Sequence, residues 1–180
     1  MFKVLGVSGS LRRASVNTAI LRAAADLAPA HLQVVLFEGL GDLPLFNPDL
    51  EEEPFEAVLR WREALSGCDA VLISSPEYAH GVTGVIKNAL DWVVGTAEFE
   101  NKPTAVLNAA TRSVFAPPAL KGTLQVMGAH LVEKASITLG LPSNRLTCED
   151  IRTHPEFSRL LREVLQELEQ STLQREPLPY

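Results

Sequence analysis

Sulfur is scarce in this sequence, with two cysteines and two methionines in 180 residues. Cys68 and Cys148 stand alone, without metal-ligand spacing around either, which excludes a disulfide scaffold and a zinc module. Four histidines are scattered singly, so no metal is expected. Positive charge is in deficit, 16 Lys+Arg against 22 Asp+Glu for a formal net charge of −6. A nucleic-acid backbone binder needs a clustered cationic face, so no nucleic-acid partner is expected. No apolar run approaches the roughly 20 residues of a membrane span, and no membrane partner is expected. Residues 1–7 are too short for a signal-peptide core and pass at once into Ser8-Gly9-Ser10. With free thiols suited to a reducing compartment, the expected location is cytoplasmic.

What the chain does contain is regular. It is 46% hydrophobic and 21% charged, as expected of one globular domain over residues 1–180. Short runs rich in Val, Ile and Leu recur at residues 2–7, 32–37, 70–74 and 104–108, with a weaker one at 130–137. Near-continuous apolar strands of this kind are buried on both faces, as in a parallel sheet. Between them the three-four spacing of amphipathic helices marks five segments. The first carries Val16, Ala19, Ile20, Ala23, Ala24 and Leu27; the second Phe55, Val58, Leu59 and Leu65. The third carries Val85, Ile86, Ala89, Leu90 and Val93; the fourth Leu120, Leu124 and Met127; the fifth runs from Phe157 to Leu168. Pro44, Pro48 and Pro54 with three glutamates mark a surface excursion, and residues 176–180 read as an extended tail.

Alternating strands and helices predict an α/β fold, a flavodoxin-like three-layer sandwich around a five-stranded parallel sheet of order 2-1-3-4-5. Ligands in such sheets bind beyond the carboxyl ends of the strands, where the strand order reverses. That rule selects the loops after strands one, three and four.

The first loop, residues 6–18 (GVSGSLRRASVNT), places hydroxyls, an amide and two arginines before a helix N-terminus. Free N–H groups and the positive end of the helix dipole favour an anion there, and Gly9 allows close backbone approach. The loop lacks the Gly-Lys-Ser/Thr of a nucleotide-triphosphate loop and the G-x-G-x-x-G of a dinucleotide fold. A terminal phosphate is the better match; the competing reading of Ser15 is a plain helix cap. The second loop continues from Ser74 through Pro76-Glu77-Tyr78-Ala79-His80-Gly81. Pro76 stiffens the strand exit, and Tyr78 offers a flat face where a planar ring could lie. Trp92 and Leu90 read as core, and Lys87 with Asp91 as a solvated pair. His80 reads either as a turn residue or subunit contact, or as a general acid. Glu77 has no partner carboxylate nearby in sequence, so a glycosidase-type pair is unsupported.

At these loops the sequence resembles the NAD(P)H-dependent FMN reductase family, which includes quinone, azo-dye and chromate reductases. The resemblance rests on residues 6–17 (GVSGSLRRASVN), 43–50 (LPLFNPDL), 76–92 (PEYAHGVTGVIKNALDW) and 127–132 (MGAHLV). It implies that FMN is bound and that NADPH or NADH is the co-substrate. It implies that Gly9, Ser10, Leu11, Arg12, Ser15, Val16 and Asn17 surround the phosphate and ribityl chain. By the same resemblance Pro76, Glu77, Tyr78 and Ala79 border the isoalloxazine ring through main-chain groups. Many relatives carry Asn at the position of Ala79. Many also carry a glycine-rich loop after strand four, where this chain has Asn108-Ala109-Ala110-Thr111-Arg112-Ser113. Arg112 there reads either as a contact to the pyrimidine oxygens or substrate, or as a surface arginine. With FMN carrying the chemistry, no side chain is named as a catalytic acid or base. The implied function is electron transfer from NAD(P)H to small acceptors (quinones, flavins, azo compounds, chromate) in a homodimer or homotetramer. The alternatives are a flavodoxin-type electron carrier and a flavin-free binding protein that kept the fold.

Overall fold

The computed structural model describes residues 1–174. Five parallel strands form one sheet of order β2-β1-β3-β4-β5, the arrangement expected. They are β1 (Phe2–Ser8), β2 (Leu32–Leu36), β3 (Ala70–Ser74), β4 (Pro103–Leu107) and β5 (His130–Leu131). The helices are α1 (Val16–Leu27), α2 (Glu56–Ser66), α3 (Gly84–Asp91), α4 (Ala116–Val126), α5 (Cys148–Thr153) and α6 (Pro155–Leu173). The expected extended tail lies outside the described residues.

Alternation along each strand sends side chains to opposite faces, and each face meets its own helices. Val4, Leu72, Ala105 and Leu107 pack with α1, α5 and α6. Leu5, Val71, Ile73 and Val106 pack with α2, α3 and α4. Every residue of β3 and β4 is buried, which explains why those strands read as unbroken apolar runs.

Three expectations change on contact with the structure. Leu59 does not belong to the buried face of α2; it is 52% exposed, and Trp61 fills the core instead, its indole N–H donating to the Ala89 carbonyl at 2.8 Å. The fifth strand stops after two residues, because residues 133–135 tighten into a 3-10 turn. Pairing with β4 then resumes through the Ser136 hydroxyl, which accepts the Val106 N–H at 3.1 Å, and a bridge between Asn108 and Thr138. A sixth helix, α5, precedes the last long one and is opened by a capping box. Thr147 Oγ1 accepts the Asp150 N–H at 3.2 Å, while Asp150 accepts the Thr147 N–H at 2.8 Å.

The proline-rich excursion is fastened to α3. Asn88 accepts the Phe46 N–H at 2.8 Å and donates to the Pro44 carbonyl at 2.9 Å, and the Trp92 indole N–H donates to the same carbonyl at 2.7 Å. Phe46 and Phe55 meet Trp92 edge-on. Trp92 and Leu90 are core, as expected, and Lys87 pairs with Asp91 one turn away. Burial pushes the Cys68 thiol up, and the neighbouring Lys102 ammonium donates to the Cys68 carbonyl at 3.0 Å.

Candidate functional site

The carboxyl ends of β1, β3 and β4 open on one cleft enclosing about 240 Å³. Ser10, Arg12, Ser15, Val16 and Asn17 line it from the β1–α1 side. Pro76, Glu77 and Tyr78 line it from β3, and Arg112 from β4. These residues are distant in sequence, and the crossover topology alone brings them together.

Helix α1 presents its N-terminus to the cleft. Ser15 is the N-cap, accepting the Thr18 N–H at 3.4 Å, so the plain capping reading is correct as far as that bond goes. The cap leaves the Ser15 hydroxyl hydrogen free and leaves the first-turn N–H groups of Val16 and Asn17 without intrahelical acceptors. Asn17 is buried, and its side-chain oxygen accepts the Ser74 hydroxyl at 3.0 Å, which ties the helix start to the end of β3. Arg12 and Arg112 make no ion pair among the described residues. In a chain of net charge −6, the unpaired Arg12 guanidinium beside the dipole's positive end makes a site for a dianion such as a terminal phosphate, while Arg112 lines the β4 side of the cleft.

Two of the expected phosphate-loop residues serve other ends of the same loop. A Cβ on Gly9 would stand 2.1 Å from the Ser75 hydroxyl, so the missing side chain lets β1's exit pack against β3's. Leu11 is 65% exposed and lines a neighbouring cleft instead.

The β3 loop turns sharply. Tyr78 and Gly81 exchange N–H···O bonds at 3.1 and 3.0 Å, with Ala79 and His80 at φ 50° and 61° between them. Two successive left-handed residues make a type I′ turn, which Asn or Gly adopts with less strain than Ala. Ala79 thus sits at the turn tip, outside the cleft lining. The N–H groups of Glu77 and Ala79 have no protein acceptor among the described residues.

Glu77 proves to be a latch between loops. Its carboxylate accepts the N–H groups of Phe115 at 2.7 Å and Ala116 at 2.8 Å, closing the N-terminus of α4. The Ala116 N–H is the largest influence holding its carboxyl below the ordinary range. Desolvation pulls the other way, and Phe115 and His80 add to the lowering. His80 is largely exposed, with Nδ1 3.4 Å from Glu77 and its ring edge-on to Phe115. It sits in the turn, outside the cleft lining, and its contacts make it part of this latch.

The glycine-poor loop after β4 is shaped by one side chain. Asn108 donates to the Ser113 carbonyl at 2.9 Å and to Thr138 at 3.2 Å, and accepts the Ala110 N–H at 3.3 Å. The loop curls inward with only methyl groups at Ala109 and Ala110, and both line the cleft. Sequence reasoning did not name Ser75, Asn108, Ala109, Ala110, Ser113 or Asn144 as site residues, though all line the cleft. Asn108 was discoverable, since an amide at a strand end commonly bonds its own loop. Asn144 comes from the loop that follows Leu139 and Leu141, whose N–H groups donate to the Asn108 and Ala109 carbonyls at 2.8 Å each, and it left no local signal.

The donors fit FMN at both ends. A dipole, a free hydroxyl and an unpaired Arg12 suit its phosphate. Unpaired backbone N–H groups beside Tyr78, which is 59% exposed, suit a polar-edged flat ring.

Comparison with known proteins identifies the family. Residues 2–141 match the family model described as NADPH-dependent FMN reductase. The chain is 35% identical over 173 residues to an NAD(P)H-dependent FMN reductase of Pseudomonas aeruginosa, covering 93% of each protein. It is 39% identical over 147 residues to a quinone reductase of Pseudomonas putida, covering 79% of this chain and 73% of that one. Among solved structures it resembles the flavoenzyme NAD(P)H:(acceptor) oxidoreductase of Paracoccus denitrificans with a TM-score of 0.71 at 26% identity, covering 94% and 98% of the two chains.

Proposed function

The chain belongs to the NADPH-dependent FMN reductase family, and from that premise we propose how its own residues perform the reaction and which acceptors it serves. It is a flavin oxidoreductase that uses FMN and NAD(P)H. The observation that carries the residue assignment is the convergence of α1's open N-terminus, the unpaired Arg12 and the Pro76–Tyr78 segment on one cleft.

Ser10, Arg12, Ser15 and the N–H groups of Val16 and Asn17 bind the phosphate. Pro76, Glu77 and Tyr78 hold the isoalloxazine ring by main-chain groups, Ala79 shapes the turn beyond them, and Arg112 faces the ring's far edge. Bound FMN supplies hydride acceptance and the return of electrons to an acceptor. The protein supplies position and electrostatics. Free N–H groups and Arg112 favour negative charge on the ring's polar edge, and Glu77 holds the β3 and β4 loops at a fixed spacing.

Glu77, the carboxylate lining the cleft, is committed to the Phe115 and Ala116 N–H groups, and nicotinamide and acceptor occupy one open face in succession, a ping-pong order. Quinones are the favoured acceptors, on the analogy of the quinone reductases among the relatives. Exposed Tyr78, Val114 and Phe115 near the mouth support a homodimer or homotetramer that encloses the ring further. No helix among the described residues is long and apolar enough to cross a membrane, and the proposed location is the cytoplasm. The test is steady-state NADPH and NADH oxidation by FMN-loaded protein with quinones, azo dyes and free flavin. Parallel-line kinetics with a quinone are expected; absence of oxidation with every acceptor contradicts the reading.

A further inference from the structure

A second cleft of about 370 Å³ lies on the other side of the β1–α1 loop, between that loop and the chain leaving β2. Ser10 and Arg12 line both clefts, so the two open side by side across one short stretch of backbone. Leu11 and Phe37 give the second cleft an apolar surface. Leu11 lies over Gly41, where a Cβ would come within 3.3 Å of it. Phe37 is held against Trp61 with ring centroids 4.9 Å apart.

The charges around this surface are uneven. Arg13 lines the cleft and makes no ion pair among the described residues. Arg22 meets Glu38 only at 3.9 Å, with both side chains more than half exposed. The other carboxylate, Asp42, is shared with Arg60 at 3.9 Å. Such long, solvated pairs are worth little and yield to a stronger anion. A dianion entering here gains Arg13 outright and takes Arg22 from Glu38. Glu38 itself follows the second strand. In the dinucleotide-binding branch of doubly wound sheets, whose glycine fingerprint this chain lacks, a carboxylate there accepts from a nucleotide ribose and an arginine beside it accommodates a ribose 2′-phosphate.

We propose that this cleft binds the adenosine 2′-phosphate end of NADPH, with Arg13 and Arg22 reading the phosphate and Leu11 and Phe37 contacting the purine. The inference rests on the reductase reading, because the nicotinamide end must reach the adjoining flavin cleft. It makes the chain selective for NADPH over NADH.

The test uses FMN-loaded protein titrated calorimetrically with adenosine 2′,5′-bisphosphate and with adenosine 5′-phosphate. The bisphosphate binds at least tenfold tighter, and Arg13→Ala and Arg22→Ala each remove most of that advantage. Glu38→Gln retains or increases it. In steady state the two arginine variants lose about tenfold in kcat/KM for NADPH, with NADH within twofold of the unaltered protein. Equal binding of the two nucleotides, or equal losses with NADPH and NADH, overturns the proposal. A protein that oxidises neither nucleotide contradicts the reductase reading, and the calorimetry still decides whether the cleft recognises a 2′-phosphate.

Discussion

At the scale of single residues, the site depends on positions whose chemistry is local. Ser15 caps α1 and keeps a hydroxyl hydrogen for a ligand. Ser15→Ala is expected to cost about 1 kcal/mol of stability, read from urea unfolding, and to weaken FMN binding in the same protein. Loss of stability with unchanged FMN affinity would reduce Ser15 to a cap alone. Ala79 is the converse case, an ordinary residue in a left-handed position at φ 50°. Relief of that strain is worth about 1 kcal/mol. Ala79→Asn should therefore raise the melting temperature by about 2–4 °C in a chain of this size. Ala79 was legible as a departure from its family's pattern, but the strain was not. A type I′ turn is set by two successive φ angles, and Ala-His carries none of the usual Asn-Gly signal for them.

At the scale of elements, two joints hold the cleft's walls. Glu77 ties the β3 loop to the N-terminus of α4. Its carboxyl is held below its ordinary value, so the folded chain binds fewer protons there than the unfolded chain between the two values. The latch's contribution is complete above the ordinary carboxylate range and is lost as pH falls through the lowered value. Glu77→Gln should flatten that part of the acid limb in melts taken from about pH 6 to pH 3, relative to the unaltered protein. An unchanged acid limb would contradict the latch. Ser136 is the other joint, replacing a backbone acceptor for the Val106 N–H where β5 has broken. Ser136→Ala leaves a buried N–H unpaired and should cost about 1–3 kcal/mol in urea unfolding. The sequence pattern extends β5 through residue 137 on the strength of Leu131, Val132, Ala135 and Ile137. Nothing in HLVEKASI signals that residues 133–135 tighten into a turn.

At the scale of the whole molecule, the parallel sheet and its order were legible because burial on both faces leaves a plain mark on β3 and β4. The first five helices read from periodicity correspond to α1, α2, α3, α4 and α6. The short α5 carries too few turns for periodicity and shows only its capping box, Thr147-x-x-Asp150. The cleft was legible as loops at strand ends; its division into two adjoining clefts by Ser10 and Arg12 was not, since it depends on how β2's exit packs beside α1. The single sheet formed by the described residues leaves little to cover a bound ring. Light scattering on the FMN-loaded protein is therefore expected to give a dimer or tetramer mass, and a strict monomer with full activity would contradict that. Seating of the FMN phosphate on the β1–α1 loop is the assignment on which the other site roles depend. Its most direct test is a fluorescence titration comparing FMN with riboflavin, which lacks the phosphate. The protein is expected to bind FMN at least tenfold tighter, and Arg12→Ala to erode FMN binding while leaving riboflavin unchanged. Equal affinity for the two flavins, or equal losses on removing Arg12, would contradict it.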